Sequence, residues 1–360
     1  MKTNLTLASC LLLASFAGGC NDDGSSSGLG ESARGFNGNV GGRLVMIQDS
    51  DDTIAEVELG TGRFSVLAGT AETIEANGLR GTTSLIFLER DPSNPSGMVA
   101  TIKVPRSAGY NTNRVLFLDG EGRMSSPGFS VGSFLGAAAA KRSWNGRFVA
   151  MAYEGGLSIH DAASGEVVSS RELDGTARFS YYDWLPDGRL VVALPDTGGA
   201  PVLMVTEPYS VIGANDITLP SRYTGSISDL RVSPDGNRVV VNPRGRGEQI
   251  GPVVIDVRTL DVYEPVALRE DRSSKSGNYL WSPNGDRLLL QQRFVTQMVG
   301  VVGLFPGTRT YAVRVDGGAY PLPDSIEEST SEARLLRAQR VDESSGERVS
   351  VTLTSMVWLD

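Results

Sequence analysis

Short apolar runs, each entered through a tight turn, recur along this chain. Ser233-Pro234-Asp235-Gly236 leads into Asn237-Arg238-Val239-Val240-Val241, and Ser282-Pro283-Asn284-Gly285 into Asp286-Arg287-Leu288-Leu289-Leu290. Leu185-Pro186-Asp187-Gly188 leads into Arg189-Leu190-Val191-Val192-Ala193. Ser143-Trp144-Asn145-Gly146, followed by Arg147-Phe148-Val149-Ala150, is a weaker fourth copy. Ser at the first corner accepts a local hydrogen bond, and Pro at the second fixes φ. Asp or Asn suits the third, and Gly supplies the positive φ of the fourth. Apolar residues on both sides of such a turn predict a β-hairpin.

The spacing of the turns sets the architecture. Gly146 to Gly188 is 42 residues, Gly188 to Gly236 is 48 and Gly236 to Gly285 is 49. Periods of this length with four strands each indicate propeller blades. A second hairpin follows the first in each repeat. Leu157 to Asp161, Ala162-Ala163-Ser164-Gly165 and Glu166 to Ser169 form one, and Val253 to Val262 another. Tyr311 to Leu322 reads as a third, strand, Asp-Gly-Gly turn, strand.

The two ends read as halves of one repeat. Met356-Val357-Trp358-Leu359-Asp360 matches the run before the turn at Asp183-Trp184-Leu185, and stops there. Gly41-Gly42-Arg43-Leu44-Val45-Met46-Ile47 continues it at the other end. A shared closing blade is expected, because closure removes exposed sheet edges. The fold class is therefore all-β, a propeller of four-stranded blades. Six blades are expected: the shared one, then roughly 79–120, 131–171, 178–220, 227–268 and 277–322. Length leaves seven as the alternative. An insertion is expected over Ser325 to Ser350, where Ser325-Ile326-Glu327-Glu328 has capping-box spacing for a short helix.

The first residues are an address. Lys2 is followed by the apolar run Leu5 to Ala17 and by small residues, the layout of a secretory signal. Ala17-Gly18-Gly19-Cys20 resembles the lipobox of bacterial lipoproteins, with Ala17 where Leu is usual. The resemblance implies that Cys20 carries lipid. Residues 1–19 are then the signal peptide, 20–39 a flexible tether rich in Ser, Gly and charge, and 40–360 one propeller domain. Asn21, rather than Asp, after the Cys favours the outer membrane by the same resemblance. The expected location is the bacterial cell envelope, on the periplasmic side of the outer membrane or the cell surface. After Cys20 the longest apolar run, Met298 to Phe305, is far below the ~20 residues of a membrane helix, so membrane contact is expected through the lipid alone.

Composition narrows the chemistry. The net charge is −9, which disfavours nucleic acid as a partner. Cys10 and Cys20 are the only cysteines, so the domain has no disulfide, thiolate metal site or thiol nucleophile of its own. His160 is the single histidine and is expected to be structural. Asp49-Ser50-Asp51-Asp52 offers oxygen ligands suited to a hard cation but lacks the rest of an EF-hand, and reads as a solvated hairpin tip. Arg244 and Arg246 sit in a Gly-rich loop that reads as solvated. Trp144, Trp184, Trp281 and Trp358 recur before the turns and are expected to pack blades rather than stack on ligands. No catalytic residue, metal ligand or cofactor is assigned.

The W-S-P-[DN]-G turn, its apolar strand and the later Val-Asp-Gly-Gly resemble the TolB-type, WD40-like propeller repeat, over Phe129 to Leu322. The propeller of prolyl oligopeptidases is also similar. The resemblance implies a fold and leaves function open. The expected function is a non-catalytic envelope lipoprotein whose propeller binds or scaffolds a protein or glycan partner. The alternative is an exported hydrolase, glycosidase-like or lactonase-like, acting through channel carboxylates.

Overall fold

The Ser-Pro-Asp-Gly turns fold as their chemistry dictates. Gly236 N–H donates to the Ser233 carbonyl at 2.8 Å and Arg238 N–H to Ser233 Oγ at 3.0 Å, while Asn237 N–H reaches Asp235 Oδ1 at 3.1 Å. Ser282 and Ser143 repeat the first two bonds. Gly146, Gly188, Gly236 and Gly285 all have positive φ, between 69° and 85°.

The structure, a computed structural model, describes residues 40–48, 53–59, 64–67, 69, 73, 84–105, 111–131, 139–153, 156–172, 181–194, 199–223, 225–243, 251–267, 275–299, 302–323, 328–331, 333–336, 339–341, 348–350 and 356–359. These residues form six four-stranded antiparallel sheets, the blades of a propeller. Blade 1 places Met356–Leu359 innermost, then Arg43–Gln48, Thr53–Glu58 and Phe64–Val66. The register pairs Arg43 with Leu359 and Met46 with Met356, so the ring closes through the shared blade as expected. Blade 2 runs Ser84–Arg90, Met98–Pro105, Asn111–Leu118 and Met124–Val131. Blades 3, 4 and 5 span 140–172, 182–218 and 227–263. Blade 6 runs Lys275–Trp281, Arg287–Val299, Val302–Arg314 and Ala333–Leu336.

The core consists of six clusters, one in each gap between neighbouring blades. Successive residues of a strand serve opposite gaps. Val239 and Val241 join the cluster against blade 4, and Val240 the one against blade 6. Both faces of a middle strand are thus buried, which is why it reads as a continuous apolar run. Truncating a Leu or Ile here to Ala costs roughly 2–5 kcal/mol.

Several expected boundaries move. The outer strand of blade 2 is Met124–Val131, beyond the expected end at 120 and the expected start of the next blade at 131. The hairpin read over Tyr311 to Leu322 does not form. Gly317 makes the turn with φ 93°, but Tyr320–Pro321 pairs in parallel with Val266–Ala267 beside blade 5. The fourth strand of blade 6 comes from Ala333–Leu336 instead. Residues 325–327 of the expected helix start lie outside the described residues, and Glu328 is in a turn.

Antiparallel order puts all first-to-second and third-to-fourth strand turns on one face, here called the turn face. The second-to-third turns and blade-to-blade connections lie on the other. Val40 enters on the turn face, beside the gap between blades 6 and 1. The hairpin of blade 6 leaves from the opposite face. Its strands are 13 residues each, against 4 to 8 for the second strands of the other blades.

Candidate functional site

The inner strands line an axial channel. The residue two places before the first turn corner is, in blade order, Val357, Glu89, Lys141, Asp183, Arg231 and Leu280. Two are apolar, and the other four alternate in sign around the axis. All six line one cavity of about 100 Å³. That is room for a few waters, against the roughly 300–1,000 Å³ of typical small-molecule sites.

Each carboxylate of this ring is already engaged. Glu89 pairs with Arg231, from blades that lie opposite each other, so the pair crosses the channel. Asp183 accepts the Val232 N–H of the next blade at 2.8 Å and lies 3.4 Å from Lys141 Nζ. Asp229, one turn of the pleat below Arg231, accepts the Tyr279 N–H of blade 6 at 2.9 Å. Arg231 Nε lies 3.5 Å from Asp229 Oδ1. Burial works against the Arg231 charge, but Glu89, Asp229 and Asp183 outweigh it and push its pKa up. Beside the ring, Asp91 is 1% exposed and pairs with Arg142 at 2.8 Å. The Arg142 guanidinium also stacks 4.2 Å over the Phe117 ring. Buried ion pairs of this kind fix geometry more than they add stability. Among the described residues the ring is therefore charge-paired. Among the described residues no group of three His, Cys, Asp or Glu is placed to hold a metal.

The tryptophans divide by position. Trp184, Trp281 and Trp358 share the place immediately before the turn and are buried at 1%, 6% and 2% exposure. Their indoles donate to backbone carbonyls, those of Lys141 at 2.8 Å, Arg231 at 3.1 Å and Gly41 at 3.1 Å. The first two bonds join neighbouring blades. Trp144 differs from the expected placement. It occupies the second corner of its turn, where the other turns have Pro, and its indole donates to the Trp184 carbonyl at 3.1 Å.

His160 is buried within the third strand of blade 3, Gly156–Asp161. Its Nδ1 lies 3.0 Å from the Gly165 carbonyl, which makes Nδ1 the protonated nitrogen, and Nε2 accepts from Ser158 Oγ at 2.8 Å. Phe129 of blade 2 stacks on the ring at 5.8 Å. Burial lowers its pKa, against the opposing pull of the Gly165 carbonyl. Ser158 is 4% exposed, so this Ser–His pair presents no nucleophile to solvent. Cys20, Asp49-Ser50-Asp51-Asp52, Arg244 and Arg246 lie outside the described residues.

The residues that organise the channel were missing from the sequence reading. Glu89, Lys141, Asp183 and Arg231 come from four different repeats, and no local motif joins them. Aligning the repeats on the turn corner and reading two places back finds them.

Six four-stranded blades closed by a shared sheet make this a six-bladed β-propeller. Neither a family model nor a curated protein matches the chain. Among solved structures it is similar to TolB from Acinetobacter baumannii, at 13% identity and a TM-score of 0.50 over 88% of this chain. The chain spans 66% of the length of that TolB. A protein of unknown function from Bacteroides caccae shares 11% identity over 89% of this chain and 99% of its own, with a TM-score of 0.48. The dihydro-heme d1 dehydrogenase NirN shares 14% identity over 77% of this chain and 52% of its own, with a TM-score of 0.41. At these identities the likeness to TolB concerns the fold alone.

Proposed function

We propose that this chain is an envelope lipoprotein, anchored through Cys20, whose propeller binds or scaffolds a protein or glycan partner without catalysis. The observation that supports it most is the Glu89–Arg231 pair across the axis, which leaves a cavity of about 100 Å³. Among the described residues this cavity is smaller than a typical sugar or lactone site, and Glu89 and Asp183 are already committed to cations and a backbone N–H. Recognition is then left to the loops and outer strands, which a rigid frame presents well. A shallow concavity between the outer strands of blades 3 and 4, about 830 Å³ and bordered by Ile212 at 67% exposure, is one such surface.

The anchor is tested by growth with a labelled fatty acid. Wild type is expected to incorporate label, and Cys20→Ala to lose it; retained label overturns the anchor. Binding is tested by crosslinking in intact envelopes. A defined partner that is lost with Ile212→Asp supports the reading. Recovery of no specific partner at any crosslinker length counts against it, as does turnover of glycosides or lactones that Glu89→Gln abolishes.

A further inference from the structure

The concavity of about 830 Å³ between the outer strands of blades 3 and 4 has a built floor. Met204 and Val211 lie there, both buried. Two bonds tie blade 3 to blade 4 at this level. Arg171 Nη1 donates to Met204 Sδ at 2.9 Å, and Val211 N–H donates to Ser169 Oγ at 3.2 Å. Gly213 leaves room above the floor, since a Cβ there would stand 2.8 Å from Met204 Sδ. The groove is thus preformed. It runs from the turn face, where Ile212 stands, toward the other face, where Arg171 and Asp216 stand.

One wall of the groove is an open sheet edge. Val167–Glu172 is the outermost strand of blade 3, and among the described residues no strand pairs with its outer side. Its pairing with Gly156–Asp161 is regular from Ser169 to Glu172 and skips Val168. Val167 and Val168 stand 59% and 51% exposed. Other blades blunt the same edge. Phe64–Val66 has three residues, Val262–Tyr263 two and Ala333–Leu336 four, and Met124–Val131 carries Pro127. Gly213–Thr218 has Gly, Asn and Asp among its first four residues, which are poor strand formers. The charge around the groove is one-sided. Within 162–172 and 207–218 the acids are Glu166, Glu172, Glu207 and Asp216, all exposed, and Arg171 is the only cation.

We infer that blade 3 takes a fifth strand, a short extended segment of a partner protein, apolar where it faces Met204, Val211 and Ile212 and flanked by Lys or Arg. This rests on the reading of the propeller as a binding scaffold and names the chemistry of what it binds. A free edge is a template for one more strand, with backbone bonds supplying affinity and alternate side chains specificity. Ser169 to Glu172 offers backbone groups over about 13 Å, enough for roughly four residues of the guest. Val167 and Val168 extend the contact as an apolar shelf at the turn-face end. The flanking cations meet Glu166 and Glu207 at that end, and Glu172 and Asp216 at the other. A glycan has no regular ladder of donors and acceptors to match the edge. A second copy of the chain fits less well, because it brings the same carboxylates against themselves.

The test uses the full chain with Cys20→Ser, which takes no acyl group, and the blocked peptide Lys-Val-Thr-Val-Thr-Val-Lys, titrated by calorimetry. Saturable binding at one site is expected, with slowed hydrogen exchange at the amides of Ser169 to Glu172. A peptide with Glu in place of both Lys should bind more weakly. Glu172→Lys with Asp216→Lys should weaken the Lys-flanked peptide roughly tenfold and favour the Glu-flanked one, at an unchanged thermal midpoint. N-methylation separates a strand from a merely apolar guest, because only alternate amides of an added strand face the edge. Methylating either the valines or the threonines should abolish binding, and the other pattern should leave it. Absence of saturable binding overturns the inference, as does equal affinity for the two flanks or equal tolerance of the two methylation patterns. A partner still captured through Ile212 while the peptide fails would keep the scaffold and remove the added strand, so the two proposals fail separately.

Discussion

Glu89 and Arg231 are 142 residues apart in sequence and meet across the propeller axis from opposite blades. Glu89 is 9% and Arg231 21% exposed at the side chain, so the pair is largely cut off from water. Removing one partner leaves a buried charge uncompensated, at a cost of about 3–5 kcal/mol. Glu89→Ala should therefore lower the urea midpoint strongly. The Glu89→Ala/Arg231→Met pair should be less unstable than the sum of its single changes. Additive effects in that cycle would mean the two side chains do not interact.

The indole bonds of Trp184 and Trp281 join successive blades at a carbonyl. Trp184→Phe should cost roughly 1–3 kcal/mol, because the ring packing survives while the Lys141 carbonyl loses its donor. Partner binding should be unchanged once the protein is folded. Loss of binding with unaltered stability would move Trp184 from packing to recognition.

Gly236 and Gly317 both have positive φ but differ in surroundings. A Cβ at Gly236 would sit 2.0 Å from Pro186 Cγ, and one at Gly317 would meet nothing within 4 Å. Gly317→Ala should cost about 1 kcal/mol, from backbone strain alone. Gly236→Ala adds a steric clash between blades 4 and 5 and should lower the thermal midpoint clearly further. Equal losses would show that the blades give way easily there.

His160 couples stability to pH. Burial lowers its folded pKa below the ordinary value near 6.5, so the unfolded state binds more protons between the two values. Stability is then fully present above about 6.5 and is lost as pH falls toward the folded pKa. His160→Asn should flatten the pH dependence of the urea midpoint in that window, even though the variant is less stable overall. An unchanged slope would assign the acid sensitivity to other groups.

What was legible in the sequence was local. A Ser-Pro-Asp-Gly turn satisfies its own donors within six residues, so Ser233 and Ser282 announce their hairpins without reference to the fold. The closing blade was legible because Met356 to Leu359 carries the same pattern as the strands before those turns. What was hidden depended on partners elsewhere. Tyr320–Pro321 has turn and strand chemistry, but its place beside Val266–Ala267 is decided by the neighbouring blade. Trp144 looked like the other tryptophans until register put it two places further on, at a turn corner. The sign alternation of Glu89, Lys141, Asp183 and Arg231 exists only around the ring and never along the chain.

The closing blade also sets the order of folding. Trp358 bonds to Gly41 across 317 residues, and the innermost strand of blade 1 is synthesised after every other described strand. Until it arrives, Arg43–Gln48 has an open edge and blade 1 lacks a wall for two of the six core clusters. Such long-range pairing is slow, and the waiting intermediate exposes edges and apolar surface. Completion of the ring is thus a late, all-or-none event. A chain that stalls before Met356 should be one that chaperones and proteases see.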